Sequence, residues 1–276
     1  MAKISAVVIT FNEERNIERC LKSLRWVDEI IVVDSFSTDR TIVLAKSCAD
    51  NILILQHVYD GDIPQRERGF AVAGGEWLLY VDADEEVSEE LQHEILEVIN
   101  DPVAEKGYFI PRKVSILGRW IMHGGWHPDR SFRLFRKSAY VAVPAEVHGG
   151  FEVRGATGRL SGELYHYTYS SLEEYLRKMN IYTSLQVSNK LREDPRRGAG
   201  IRKVVLSPPA HFIKKFFFQQ GYKDGILGFI LAIFGSLYTL ALYAKLWEYQ
   251  MQSRRAGGML PPVTNLDLVE HRRRLP

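Results

Sequence analysis

The chain has 276 residues, 46% of them hydrophobic, enough to bury one large core or a core with an appendage. A formal net charge of +2 argues against a dedicated nucleic-acid binder, yet the charge is uneven. Residues 190–276 hold 15 Lys and Arg against 6 Asp and Glu, a net of +9, which leaves −7 for the rest. A basic tail on an acidic body predicts an anionic surface as the tail's partner. Cys20 and Cys48 each fall in an amphipathic helical pattern, and the first residues lack a secretory leader pattern. Both read as reduced packing residues of a cytoplasmic protein.

The first hundred residues alternate strand and helix. Residues 4–10 form a β-branched apolar run, a buried strand. Asn12 is the expected N-cap of a helix carrying Ile17, Cys20, Leu21 and Leu24, with Glu13 and Glu14 in its first turn. Residues 29–34 are the second strand, and Ser37 is expected to cap a helix carrying Ile42, Val43, Ala45 and Lys46. Residues 51–55 are the third strand; Pro64 opens a short helix that Gly74-Gly75 terminates. The strand 77–82 and a helix from Ser88 to Ile99 complete four β-α units. Such alternation demands a mostly parallel sheet with helices on both faces, an α/β fold.

Beyond Asp101-Pro102, residues 107–117 and 131–136 read as strands around a Gly/Trp/His-rich loop, and 159–169 as an extended stretch. Ser171 caps a helix to about Lys190, and a basic hinge runs from Arg192 to Lys203. This divides the chain into an α/β domain over 1–190 and a basic, aromatic-rich helical extension over 191–276. Residues 226–244 contain no charge and approach the roughly 20 residues needed to span a bilayer. Gly228, Gly235, Ser236, Thr239 and two tyrosines moderate their apolarity, so a core helix, an in-plane interfacial helix and a span all compete. The expectation is membrane contact without a full span. Phe212, Phe216, Phe217, Phe218, Tyr222 and Phe229, interleaved with Lys214, Lys215 and Lys223, match a membrane-surface element. The neighbouring uncharged run makes lipid a better partner than single-stranded nucleic acid.

Asp82-Ala83-Asp84 follows the apolar run 77–81 directly. A buried strand ending in two carboxylates offers oxygen ligands at the edge where open α/β sheets bind ligands. Hard cations such as Mg²⁺ or Mn²⁺ use one or two carboxylates plus substrate phosphates. Parallel connectivity should bring Thr10, Asp34 and Asp82 to one crevice. The loop 120–130 carries Trp120 and Trp126, whose faces suit sugar rings, beside two glycines. Its two histidines lack zinc spacing with any cysteine. Arg130, Arg133 and Arg136 are expected to share a strand face and to hold a diphosphate or an anionic acceptor.

The stretches VVITFNEERNIERCLKSL, EIIVVDSFSTDRT and QRERGFAVAGGEWLLYVDADEEV together resemble family 2 glycosyltransferases of the GT-A fold. The later GRWIMHGGWHPDRSFRLFRK, VHGGF, LYHYTY and YAKLWEY resemble the bacterial branch that includes lipopolysaccharide-core β-1,4-glucosyltransferases. The resemblance covers residues 4 to about 250. It implies inverting transfer of a hexose from a nucleotide diphosphate sugar, a UDP-sugar by expectation, to a lipopolysaccharide-core or lipid-linked acceptor. The enzyme would sit at the inner face of the cell membrane and serve cell-envelope synthesis. Thr10, Asn12, Glu14, Asp34, Gln65, Arg68 and Asp82 would border the donor, and Asp82 and Asp84 would hold Mg²⁺ or Mn²⁺. A divalent ion stabilises the charge that accumulates on a departing nucleoside diphosphate.

An inverting displacement also needs a base for the acceptor proton. Relatives place an acidic residue after Val-His, whereas this chain has Val147-His148-Gly149. Glu146 is the first choice, with Glu152 and His148 as alternatives. That departure keeps a polyprenyl-phosphate sugar synthase in play, since a lipid phosphate needs little base catalysis. A non-catalytic nucleotide-sugar-binding membrane scaffold is the rival from another class. A dinucleotide-binding dehydrogenase is excluded, because the first strand lacks a Gly-x-Gly-x-x-Gly turn.

Overall fold

The structure, a computed structural model, describes residues 2–142, 151–194 and 198–255. The chain forms two compact units, one from the residues up to Ser115 with Pro128–Thr168, the other from Ile116–His127 with the residues from Tyr169 onward.

The first unit opens with β1 (Ile4–Thr10), α1 (Ile17–Lys22), β2 (Glu29–Asp34), α2 (Thr41–Cys48), β3 (Ile52–Gln56), α3 (Asp62–Val72) and β4 (Trp77–Asp82). Next come β5 (Glu85–Val87), α4 (Glu89–Asn100) and β6 (Gly107–Ile116); β7 (Arg119–Ile121) belongs to the other unit. The last strands are β8 (Asp129–Arg136), β9 (Tyr140–Ala142), β10 (Phe151–Val153), β11 (Thr157–Arg159) and β12 (Leu164–Tyr169). The sheet runs β3-β2-β1-β4-β8-β6-β12-β5. Its first four strands are parallel, and β8 joins β4 and β6 antiparallel.

The alternating sides of the apolar strands feed two cores, as strands covered on both faces must. Ile4, Ala6 and Val8 pack with Cys20 and Leu21 of α1 and with Leu91, Ile95 and Ile99 of α4. Val7 faces the other way, towards Phe70 of α3, Tyr80 and Phe135. Helix α3 lies so close that a Cβ on Gly69 would stand 2.3 Å from Val7 Cγ1. Ser88 caps α4 by accepting from Leu91 N at 3.1 Å. Cys20 and Cys48 are buried and free, as expected.

Three local expectations are corrected. Asn12 does not cap α1; it adopts a left-handed φ of 55° and its Oδ1 accepts from Thr38 N at 2.8 Å. Ser37 does not cap α2; its hydroxyl donates to Asp34 Oδ1 at 2.5 Å and accepts from Asn12 N at 2.9 Å. The two loops satisfy each other across the sheet edge, and Asp39 accepts from Thr41 N at the start of α2. Third, Arg130, Arg133 and Arg136 do not share a face. The β6–β8 register skips Arg133, pairing Tyr108 with Leu134 and Phe109 with Phe132. Residues three apart on a strand point to opposite faces, so Arg133 stacks on Tyr80 of one core and Arg136 on Trp77 of the other.

The second unit is mainly helical. It contains α5 (Leu172–Glu193), α6 (Ile201–Ile213), a π-helical continuation (Lys214–Phe218), a 3₁₀ turn (Gly221–Asp224) and α7 (Gly225–Arg255). Ser171 caps α5 by accepting from Glu174 N, while Glu174 accepts from Ser170 N. The expected hinge 192–203 is shorter, since α5 reaches Glu193 and α6 begins at Ile201. Val187, Leu191, Leu242 and Leu246 form the core between α5 and α7. Lys245 Nζ donates to Asn180 O, Thr183 Oγ1 and Ser184 Oγ, each at 2.8 Å.

Candidate active site

The register of the parallel strands builds the site. Thr10 pairs with Asp34, and Ile9 with Asp82, so three polar strand ends share one rim. Thr10 is buried and its Oγ1 has no partner among the described residues, an orphan at the end of β1. Asp34 is fully buried and accepts from Ser37 N, Ser37 Oγ and Gln56 Nε2. Glu14 accepts from Arg40 N at 3.1 Å, which ties the loop after β1 to the loop after β2. Gln65, also buried, donates to Ser35 Oγ and His57 O at 3.0 Å and so fixes the backbone beside Asp34. Arg68 grips Asp60 with both terminal nitrogens, at 2.8 and 2.5 Å.

The two carboxylates of Asp82-Ala83-Asp84 have different surroundings. Arg66 Nη2 donates to Asp82 Oδ1 at 2.6 Å and Arg133 Nη2 to Oδ2 at 2.9 Å. Burial works to raise the Asp82 pKa, but Arg133 and Arg66 override it and hold the carboxyl well below the usual range. Arg133 also donates to the fully buried Glu85 at 2.7 Å, and Arg112 stands 3.5 Å from the same oxygen. Burial pushes the Glu85 carboxyl up despite these cations. Asp84, by contrast, meets His166 Nε2 at 3.3 Å. Burial works against protonating His166, yet Asp84 raises its pKa overall.

Among the described residues no group of three or more His, Cys, Asp and Glu is placed to hold a metal by itself. Asp84 and His166 nevertheless form an oxygen–nitrogen donor pair that suits a divalent ion completed by phosphate oxygens and water. The residues therefore fit Mg²⁺ or Mn²⁺ shared with a diphosphate. His166 and Arg66 escaped the sequence reading as site residues, whereas Arg133, expected to hold an anionic ligand, is instead engaged by Asp82 and Glu85. LYHYTY carries His166 but nothing in it says that β12 pairs with β5, bringing His166 opposite Glu85. Glu152 lies exposed on β10, opposite Val141 of β9, while Glu146 and His148 lie outside the described residues.

The family profile described as Glycosyl transferase family 2 matches residues 5–148, more than half of the chain. The chain belongs to glycosyltransferase family 2. It is accordingly an enzyme that transfers glycosyl groups, and its layered α/β sheet is the GT-A arrangement. It is 26% identical over 250 residues to the lipopolysaccharide core biosynthesis glycosyltransferase LpsC of Rhizobium meliloti, covering 89% of this chain and 92% of that one. It is 29% identical over 271 residues to an uncharacterized glycosyltransferase of Rickettsia typhi, covering 92% and 90%. Among solved structures, the mannosyltransferase PcManGT of Pyrobaculum calidifontis, in complex with GDP-Man and Mn²⁺, is similar with a TM-score of 0.47 and 15% identity. That similarity covers 98% of this chain and 84% of that one.

Proposed function

We propose that this glycosyltransferase inverts configuration at the sugar it moves, depends on a divalent metal, and transfers a hexose from a UDP-sugar to a lipopolysaccharide-core or lipid-linked saccharide. The observation that carries the reading is the division of labour between Asp82 and Asp84. Asp82 is locked by two arginines, which fixes the end of β4, and Asp84 is left beside His166 with an oxygen free for a cation. Asp84 and His166 would hold Mg²⁺ or Mn²⁺, and Asp82 borders the same site. Such an ion supplies Lewis-acid stabilisation of the leaving diphosphate.

In this reading Thr10, Asn12, Glu14 and Asp34 line the nucleotide side of the pocket, with Gln65 and Arg68 on the same donor side. The acceptor proton goes to Glu146, with His148 and Glu152 as the alternatives. The lipopolysaccharide-core acceptor is supported by the likeness to LpsC along nearly the full length of both chains. Residues 1–190 serve catalysis and the extension 191–276 serves the membrane.

Helix α7 is long and apolar enough to cross a membrane, and only 28% of its most apolar window is buried, which argues against a soluble core helix. However, α5 is polar, with charges over 173–178 and 190–193 and Asn, Thr, Ser and Gln residues between, and it packs through Asn180, Thr183 and Ser184 onto Lys245 and through Val187 onto Leu242. A polar helix alongside the apolar run favours one-sided contact with the inner membrane surface over a span.

Thermal melting with UDP, GDP and their sugars, with and without Mn²⁺, tests the function. A UDP-sugar with Mn²⁺ should give the largest rise, worth about 2.7 kcal/mol at a hundredfold excess over Kd. Asp84→Ala should abolish the Mn²⁺-dependent part while leaving the ligand-free melting point near wild type. A wild-type chain whose melting shows no metal-linked response to any nucleotide sugar would overturn the proposal.

A further inference from the structure

The second unit contains a cavity of about 130 Å³ that none of the donor or acceptor assignments uses. Its polar lining comprises His123, Trp126, His211, Lys215, Asp224 and Tyr238, and its floor is Leu231, Ala232 and the backbone of Gly228 and Gly235. The cavity is preformed. Gly124 N donates to Gln219 O at 2.8 Å, and His123 N donates to Asp224 Oδ2 at 2.9 Å, which pins the loop over 121–126 to the turn between α6 and α7. A Cβ on Gly228 would stand 1.8 Å from Gly221 O, and one on Gly235 would stand 2.9 Å from His211 Nε2. Both glycines therefore give space to the turn and to the imidazole.

The basic side chains of this cavity are not paired. His211 and Lys215 lie four residues apart on one helical run, both partly buried, and neither has a hydrogen-bond or ion-pair partner among the described residues. Burial and then the neighbouring lysines push the His211 imidazole down; burial and then Lys214 push Lys215 down. Asp224 does not relieve them. Its carboxylate is engaged by His123, through the backbone N–H and through Nδ1 at 2.9 Å. A half-buried cation without a counter-ion is costly, and an anion entering the cavity removes that cost.

Size and surroundings choose the anion. Pockets for drug-sized ligands run to roughly 300–1,000 Å³, so this one suits a single tetrahedral anionic head rather than a nucleotide sugar. Beside it the chain is openly apolar: Phe217, Phe218 and Tyr222, which flank Lys215 and Asp224 in sequence, are exposed. On α7 the exposed Ile226, Phe229, Ile233 and Leu237 recur every three or four residues, on the side opposite Gly228, Leu231, Ala232 and Gly235. Aromatic side chains at this position suit the headgroup level of a bilayer.

We infer that this cavity is a second binding site, for the phosphate head of a membrane amphiphile whose chains lie against the exposed phenylalanines. The inference takes from the proposed function only the membrane-surface placement of the C-terminal helices.

The test is vesicle flotation of the full chain without nucleotide. Phosphatidylcholine vesicles are compared with vesicles made anionic by phosphatidic acid or, at matched surface charge, by oleate. The wild-type chain should favour phosphatidic acid over oleate, and Lys215→Gln should lower that preference about tenfold, the loss of one charged hydrogen bond. His211→Asn should act in the same direction, with unchanged circular dichroism in both variants showing that the fold is kept. Lys214→Gln, on the exposed neighbour, should weaken both anionic vesicles alike. Equal binding to phosphatidic acid and oleate, or equal losses in Lys214→Gln and Lys215→Gln, overturns the site while leaving membrane association standing. Binding of inorganic phosphate with no binding to any vesicle overturns both the lipid assignment and the membrane placement, and leaves the nucleotide-dependent melting untouched.

Discussion

Arg133→Met tests the electrostatic frame of the site. Arg133 is 2% exposed and donates to both Asp82 and Glu85, the latter 0% exposed. Methionine fills much of the same volume but leaves the buried Glu85 and the partly buried Asp82 short of a cation. Removing one partner of a buried ion pair costs about 3–5 kcal/mol. At about 2–4 °C per kcal/mol for a domain of this size, the melting point should fall by roughly 10 °C. Asp82 keeps Arg66 at 2.6 Å, so the larger burden falls on Glu85.

The pH dependence follows from that burden. Burial already raises the Glu85 pKa in the wild-type chain, and losing Arg133 raises it further. A raised folded value means that the folded state binds the proton more tightly. The associated stability is present below the unfolded value of about 4.3 and is lost as pH rises through the folded one. Urea titrations at pH 5 and pH 8 should therefore show a smaller deficit for Arg133→Met at pH 5, by up to roughly 1.4 kcal/mol per pH unit spanned. Arg133→Lys should fall between, because one ammonium cannot reproduce the planar fork that serves two carboxylates. A deficit under about 1 kcal/mol, or one equal at both pH values, would refute the reasoning.

Two further outcomes follow from the fold. Gly69→Ala places a methyl 2.3 Å from Val7 Cγ1, between α3 and the sheet, and should cost about 1–3 kcal/mol by overpacking, measured by urea unfolding. Ser88→Ala removes the acceptor for Leu91 N at the start of α4 and should cost about 1 kcal/mol, with α4 amides gaining hydrogen exchange.

Much of this protein was legible in its residues. Continuous β-branched runs such as 29–34 read as strands covered on both faces, and their alternation with helices points to a parallel arrangement with polar strand ends together. The Ser171 cap is local and matches the expectation, since a cap depends on residues three apart. Asn12 and Ser37 have the same local chemistry but use it across the rim, Asn12 Oδ1 accepting from Thr38 N and Ser37 Oγ from Asn12 N, a choice made only when β1 and β2 lie side by side. Arg133 is the sharpest case. Its odd spacing from Arg136 already sends it to the other face of β8, but only the pairing of β8 with β4 brings it between Asp82 and Glu85. His166 lies 82 residues from Asp84 along the chain and 3.3 Å from it in space. The order of residues determines which strands and helices can form, because periodicity and capping act over a few positions. Which charges meet is decided only by strand pairing, because the attraction between two groups depends on their distance through the folded sheet.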